Sequence, residues 1–321
     1  MEQTRNMKTI PNLSIINTTK NISGPVFSSY VFWVLQNAEK AGIHTLFFMA
    51  RDGFVFKIIA DSLSKMYFPS IKCKYFYCSR RAVKSKLFAE YMAQEGLNKA
   101  NTAIVDSGWM GSIQRDIGCD NITGYYFGMF GKGYANCGVY QAYLFSPKER
   151  WWWRFGFNAN VFECLCSANH GMCIGYKKEG NLIVPLLSKN VPNSGQQIQA
   201  IYDYMDGFCK KDLLSKEEVK KRLWRFFHKP TIAEAKAYGA INFAWDQNEQ
   251  IFYPLAEKLE VSLIKLAGWH RKRPFYWPAA TAVLLGYPPI IIQTSRWMIE
   301  VLRNGKMDLL QAGFQMRSNK L

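Results

Sequence analysis

Long apolar runs are missing from this chain. No stretch reaches the roughly 18–20 uninterrupted apolar residues of a membrane-spanning helix. The nearest, YWPAATAVLLGYPPIII at 276–292, is broken by Pro278, Pro288 and Pro289. The first twenty residues, MEQTRNMKTIPNLSIINTTK, lack the apolar core of a secretory signal, so the expected location is the cytoplasm. The eight cysteines are then expected as thiols rather than disulfides. Acidic residues are scarce as well. The 24 Asp and Glu stand against 41 Lys and Arg, a formal charge of +17, which favours phosphorylated substrates, nucleic acid or an acidic membrane surface as partners. Internal repeats and low-complexity tracts are absent too. The basic residues are dispersed and follow no recognised nucleic-acid-binding motif, which makes nucleic acid the least favoured of these partners.

One basic segment does have a pattern. WHRKRP at 269–274 precedes the broken apolar run, and cations beside aromatics and an apolar segment suit the headgroup boundary of a membrane. Two readings follow: a buried helix with a basic entry loop, or a cytoplasmic protein peripheral to the inner face of the cell membrane.

With 321 residues, 49% of them apolar, the chain can bury one large core or two smaller ones. Three parts are expected: an N-terminal segment at 1–24, its first twenty residues loosely ordered, a sheet domain at 25–150, and a mainly helical region at 151–321 packed on it. In the sheet domain, apolar runs alternate with helical patterns: TLFFMA, then a helix from about 54 to 67; KYFYCS, then a helix from about 81 to 95; TAIVDS, then GSIQRDIG; GYYFGMF; and VYQAYLF. That spacing predicts an α/β fold, a Rossmann-like parallel sheet with crossover helices. From Asn193 onward the helical period dominates, and Ser215 with Glu218 forms a capping-box signature.

Ligands of open parallel sheets bind outside the carboxyl ends of the strands. The polar turns after the strands therefore hold the candidate residues. In FFMARDGF, Arg51 and Asp52 end a strand and Gly53 permits a tight turn that exposes the acid. The structural alternative is that Arg51 and Asp52 pair with each other or cap the next helix. In YFYCSRRAV, Ser79, Arg80 and Arg81 offer a hydroxyl and two guanidiniums at a helix start, a phosphate-binding set. The alternative there is a solvated basic turn. In AIVDSGWMGSIQ, Asp106 ends a strand, Gly108 and Gly111 open the backbone, Trp109 presents a face for stacking on sugar, and Ser112 and Gln114 add hydrogen-bonding groups.

ARDGF, YCSRRA, VDSGWMGSIQ and, more weakly, FECLCSANHGMCIGY resemble the HAD-like (haloacid dehalogenase-like) predicted hydrolases encoded among bacterial surface-polysaccharide genes, often beside glycosyltransferases. The resemblance spans about residues 45 to 176 and implies a Rossmann-like sheet. Active HAD phosphatases carry Asp-x-Asp at the first strand end, the first aspartate attacking phosphorus and the second acting as general acid. By this resemblance Asp52 matches the second aspartate, Ser79 the phosphate-binding hydroxyl, and Asp106 the later metal-binding acid. The resemblance also implies Mg²⁺ between Asp52 and Asp106. The first aspartate falls on Ala50, whose methyl cannot attack phosphorus. No separate lysine of the third motif is evident, and Arg80 or Arg81 stands in its place.

Within ECLCSANHGMC, Glu163 and His170 form a candidate acid–base pair. Cys164, Cys166, His170 and Cys173 do not follow a usual structural zinc spacing, and core packing is the competing role for these thiols. The leading expectation is a glycosyl or sugar-phosphate transferase of cell-surface polysaccharide assembly, using a phosphorylated or nucleotide-activated sugar and a lipid-linked acceptor. In it the donor's diphosphate sits at Ser79, Arg80 and Arg81. The alternatives are a divergent HAD-like phosphohydrolase and a non-catalytic module that binds glycan phosphates.

Overall fold

The computed structural model describes residues 12–118, 121–130, 138–147, 157–244, 249, 251–258 and 276–289. They fall into two compact units, one drawn from Met1–Arg154 and Val161–Leu223, the other from Phe155–Asn160 and Trp224–Leu321. The WHRKRP segment lies outside the described residues. No described helix is long and apolar enough to cross a membrane.

The first unit is built on five parallel strands: β1 (Thr45–Met49), β2 (Lys72–Phe76), β3 (Thr102–Trp109), β4 (Thr123–Met129) and β5 (Tyr140–Phe145). Their spatial order, β2-β1-β3-β4-β5, is that of a doubly wound Rossmann-like sheet. The apolar runs TLFFM and TAIV supply strands buried on both sides. Alternate residues face opposite layers. Phe47, Met49, Phe76, Ile104 and Tyr126 pack in one cluster with Phe88 and Tyr91 of helix α4 (Phe88–Glu95). On the other face, Phe127 meets Tyr30 of helix α2 (Gly24–Lys40), with ring centroids 5.3 Å apart, and Tyr30 meets Phe56 of helix α3 (Gly53–Tyr67) at 5.2 Å.

The chain leaves β1 through α3 toward β2, and leaves β3 through helix α5 (Ser112–Ile117) toward β4. These connections run to opposite sides of the β1–β3 pair, so a crevice opens at the carboxyl ends of β1 and β3. Register deepens it. Phe48 pairs with Val105, β1 stops at Met49, and β3 runs on to Trp109 beside β4.

Three elements differ from the sequence reading. The first twenty residues, expected to be loosely ordered, are helical from Leu13: α1 (Leu13–Thr18) passes through a π-helical turn (Thr19–Ser23) into α2. Helix α2 buries Val26, Phe27, Tyr30, Val31, Val34 and Leu35 at helical spacing and exposes only Gln36, Glu39 and Lys40 near its end, so its polar face is short. The helix expected from about 81 to 95 is split, with a 3₁₀ turn at Ala82–Lys84, extended backbone at Ser85, then α4.

The region after 150 also contains a β-hairpin, β6 (Cys173–Glu179) and β7 (Leu182–Leu187), which belongs to the first unit. Tyr176 stacks on Tyr91 at 4.5 Å, and the Gln94 amide both donates to Ile183 O and accepts from Ile183 N. The edge of β7 is thus satisfied by a side chain. Helix α6 (Ala159–Leu165) precedes the hairpin and α7 (Gly195–Asp206) follows it. Helix α8 (Lys216–His228) comes next, and Ser215 Oγ accepts from Glu218 N at 3.2 Å at its start.

The second unit is organised on Trp277, which packs on Phe226 at 4.9 Å and donates its indole N–H to Phe227 O. Around it lie α9 (Ile232–Gly239), closed at its start by a Thr231–Glu234 capping box, the short pair β8 (Asn242–Ala244) and β9 (Phe252–Pro254), and α10 (Pro278–Leu284).

Gly108 is a tight backbone position beside the crevice. Its φ is +102°, and a Cβ there would stand 2.5 Å from Gly128 O on the neighbouring strand. Gly108→Ala is expected to cost about 2–4 kcal/mol through left-handed strain plus overlap. Urea unfolding would show it as a lower midpoint at an unchanged slope.

Candidate active site

Asp52, Asp106 and Glu163 define the site. Asp52 is the residue before α3, yet its carboxylate makes no capping bond, so the capping alternative fails. It instead accepts a 2.5 Å hydrogen bond from the Ser107 hydroxyl on β3. Gly53 matters here, though by a different route from the one expected. Its φ is not left-handed; a Cβ would stand 2.7 Å from the backbone carbon of Phe48, so only glycine lets α3 start this close to β1. The Ala50–Arg51 peptide is cis.

Asp106 lies on β3, one residue before Ser107, and its backbone oxygen accepts from the buried Tyr30 hydroxyl, a donor that also lies 2.9 Å from Tyr125 O. Glu163 comes from α6 and accepts from Trp109 Nε1 at 2.7 Å. All three residues keep partial solvent access.

Burial raises all three acids; the Asp52 charge further raises Asp106 and Glu163, and the Asp106 charge further raises Glu163. Asp52 is pushed from 3.8 to about 6, chiefly by burial, with the Ser107 hydrogen bond and the Arg51 charge pulling the other way. Glu163 is pushed from 4.5 to about 8 by burial, then by the charges of Asp52 and Asp106, opposed by the Trp109 hydrogen bond and Arg51. Asp106 is raised well above 3.8 by burial and by Asp52, although the backbone N–H groups of Ser107 and Gly108 favour its charged form. Burial and the neighbouring charges hold the proton more firmly on Glu163 than on Asp52. One cluster thereby holds a base and an acid. Ser107→Ala removes the hydroxyl that steadies the Asp52 carboxylate and should raise the Asp52 midpoint by roughly 0.5–1 pH unit. Carboxyl NMR titration of the variant would show it.

His170 does not join Glu163. Its Nδ1 lies 2.8 Å from Gly171 O, which can only accept, so the proton sits there and Nε2 accepts from the Tyr75 hydroxyl at 2.7 Å. Burial lowers its pKa, with the Arg51 charge in the same direction and the Gly171 bond opposing, and the ring is neutral.

The remaining sequence candidates divide. Ser79 Oγ donates to Cys173 O at 2.6 Å and accepts from Arg81 N and Ala82 N, so its hydroxyl closes a turn and ties it to β6. Arg80 and Arg81 are exposed beside it. Gln114 is buried and fully occupied: Nε2 donates to Ile122 O and Val139 O, and Oε1 accepts from Tyr126. It joins β4 to the chain entering β5 rather than meeting a ligand. Ser112 opens α5 and is partly exposed.

Trp109 sits at φ +64° and packs against Phe130 at 5.4 Å and Phe145 at 6.3 Å. Those two rings are 5.1 Å from each other and hence cover the same side of the indole. With its N–H on Glu163, Trp109 is first a support for that acid. Among the described residues, no group of three or more His, Cys, Asp or Glu side chains is placed to hold a metal ion. The thiols of Cys164, Cys166 and Cys173 are buried, and those of Cys166 and Cys173 face backbone carbonyls.

No protein-family model and no curated protein matches the chain.

Proposed function

We propose that the protein is a glycosyl or sugar-phosphate transferase of cell-surface polysaccharide assembly, with Asp52 as base and Glu163 as acid in the crevice between β1 and β3. One observation carries this reading: Asp52, fixed by the Ser107 hydroxyl, and Glu163, fixed by the Trp109 indole, are two buried carboxyls held in one cluster with Asp106, and burial raises both above the ordinary carboxylate range. In the transfer the Asp52 carboxylate takes the proton of the acceptor hydroxyl as its oxygen bonds to the sugar carbon or to phosphorus. The bond to the leaving phosphate breaks, and Glu163 delivers its proton to that phosphate oxygen. Arg51 offsets the negative charge gathered there. Asp106 keeps the cluster's protons shared.

Ala50 supports transfer over hydrolysis. A methyl stands where an aspartyl-phosphate would have to form, so the reaction passes directly between donor and acceptor. Arg80 and Arg81, exposed at the neighbouring strand end, are the proposed contact for the donor's outer phosphate. Attachment to an anionic membrane face through residues 269–274, near a lipid-linked acceptor, belongs to the same proposal.

The experiment is a thermal-shift screen of UDP-hexoses, hexose phosphates and inorganic phosphate, each with and without Mg²⁺, because a ligand that binds only the folded state raises its melting temperature. Stabilisation by a UDP-hexose supports transfer. Stabilisation by hexose phosphates alone favours the phosphohydrolase, or a module that only binds them. The proposed steps use no metal, and the Mg²⁺ arm tests whether Asp52 and Asp106 recruit one.

A further inference from the structure

Beside the carboxylates stands an aromatic cluster that the acid–base steps leave unused. Phe54 lies in the first turn of α3, two residues after Asp52. Tyr75 is on β2, Tyr77 just follows it, and His170 lies between α6 and β6. The rings meet edge to face. Phe54 and Tyr75 are 5.3 Å apart at 80°, Tyr75 and Tyr77 5.0 Å at 78°, and His170 lies 5.6 Å from Tyr75 and 5.1 Å from Tyr77. All four residues retain solvent access, although aromatic side chains of this size are usually packed away. Tyr75 feels the charges of both Asp52 and Arg51, which places the cluster next to them.

We propose that Phe54, Tyr75, Tyr77 and His170 form the wall on which a hexopyranose ring lies, its apolar C–H face on the aromatic rings and its hydroxyls turned to Asp52. This rests on the reading of the site as one that handles an activated sugar.

The surroundings select that occupant. The Asp52 carboxylate, when ionised, only accepts hydrogen bonds, so it suits a polyol, whose hydroxyls all donate. Recognition of a purine or pyrimidine by sandwiching needs parallel rings, whereas the ring planes here cross at 52° to 84° and form a corner. A corner matches a puckered ring with one apolar face and an apolar edge. His170 fixes the corner, since its ring touches Phe54, Tyr75 and Tyr77 and its two nitrogens are tied to Gly171 and Tyr75. A neutral imidazole held this way adds apolar surface rather than charge. Trp109, whose indole N–H is on Glu163 and one side of which is covered by Phe130 and Phe145, leaves at most one face for a sugar.

The test is saturation-transfer NMR on the full chain with methyl glucopyranoside, methyl galactopyranoside and methyl N-acetylglucosaminide, free sugars that do not depend on the nucleotide reading. At least one should receive saturation on the protons of a single ring face. Tyr77→Leu should weaken that binding about tenfold, and Tyr77→Phe should keep it. Phe54→Leu is the second variant should Tyr77→Leu fail to fold. No transfer to any of the three glycosides, or transfer undiminished in the folded leucine variants, overturns the platform. Its failure is distinct from failure of the transferase reading. Glycoside binding without stabilisation by any UDP-hexose leaves the platform standing and defeats the activated donor. UDP-hexose stabilisation that is equal in wild type and both leucine variants does the reverse.

Discussion

Replacing Glu163 by glutamine should make the protein more stable at pH 9 and leave it nearly unchanged at pH 5. The cause is proton linkage. A carboxyl at about 8 in the folded chain and 4.5 when unfolded binds its proton more tightly in the folded state. Its contribution to stability is fully present below 4.5 and is lost as pH rises through about 8. Above that pH the folded wild type carries a buried anion facing Asp52 and Asp106. A shift of this size corresponds to at most about 5 kcal/mol, and partial exposure and coupling to Asp52 reduce it to about 2–3 kcal/mol. Glutamine cannot ionise, and its amide oxygen still accepts from Trp109 Nε1. In a scan of melting temperature against pH, the variant should gain about 5–10 °C over wild type at pH 9. A constant difference across the range, or a variant that is the weaker protein at pH 9, would contradict the buried-acid account. Asp52 and Asp106 shift in the same direction, so part of the alkaline weakness should remain in the variant.

Asp52→Asn should abolish most of the transfer while leaving donor binding in place. Losing a positioned base typically costs about 10²–10⁴ in rate. The amide keeps the volume and the contact with Ser107, so KM should stay within a few-fold and kcat should carry the loss. The companion variant is Ala50→Asp. It restores a carboxylate at the strand end, but a carboxylate alone does not align phosphorus for in-line attack, and at most a trace of phosphate release is expected. Acid quenching should trap no phosphoenzyme in either protein. Robust wild-type hydrolysis of phosphate esters, lost in Asp52→Asn, would overturn this ordering and make the protein a phosphohydrolase.

Much of the sheet was legible because its strands are apolar on both faces and end abruptly in polar turns. TLFFM before Arg51 marks β1 and TAIV marks the start of β3, but β3 does not end at Asp106 as expected and runs on to Trp109. Helix α2 was harder to read, because its exposed polar residues, Gln36, Glu39 and Lys40, are confined to its last turns. The β6–β7 hairpin did carry a signal. Glu179 pairs with Leu182 across Gly180 and Asn181, and Gly180 has a φ of +60°, the conformation such two-residue turns require. The helical pattern that follows outweighed it.

In the site, Asp52 could be read from its place after a strand, Asp106 from the apolar run before it although it lies inside β3, and Glu163 from its acidity within an apolar segment. Partnership could not. Glu163 is matched to Trp109 and not to His170, because α6 and the end of β3 meet only in three dimensions. Gln114 reads as a ligand in sequence, but its three hydrogen bonds go to β4 and the chain entering β5. Tyr75 and Tyr77 carry no site signal in sequence, because aromatic residues in a strand usually mean core.

Carboxyl ¹³C NMR titration of the wild type tests the central claim most directly, with Asp52→Asn and Glu163→Gln used to assign the two resonances. The account predicts that Glu163 titrates near 8 and Asp52 near 6, and that removing Asp52 lowers the Glu163 midpoint because one of the charges opposing its ionisation is gone. Midpoints of both groups below about 5, unaffected by each other's substitution, would mean that no proton-sharing cluster exists at the β1–β3 crevice.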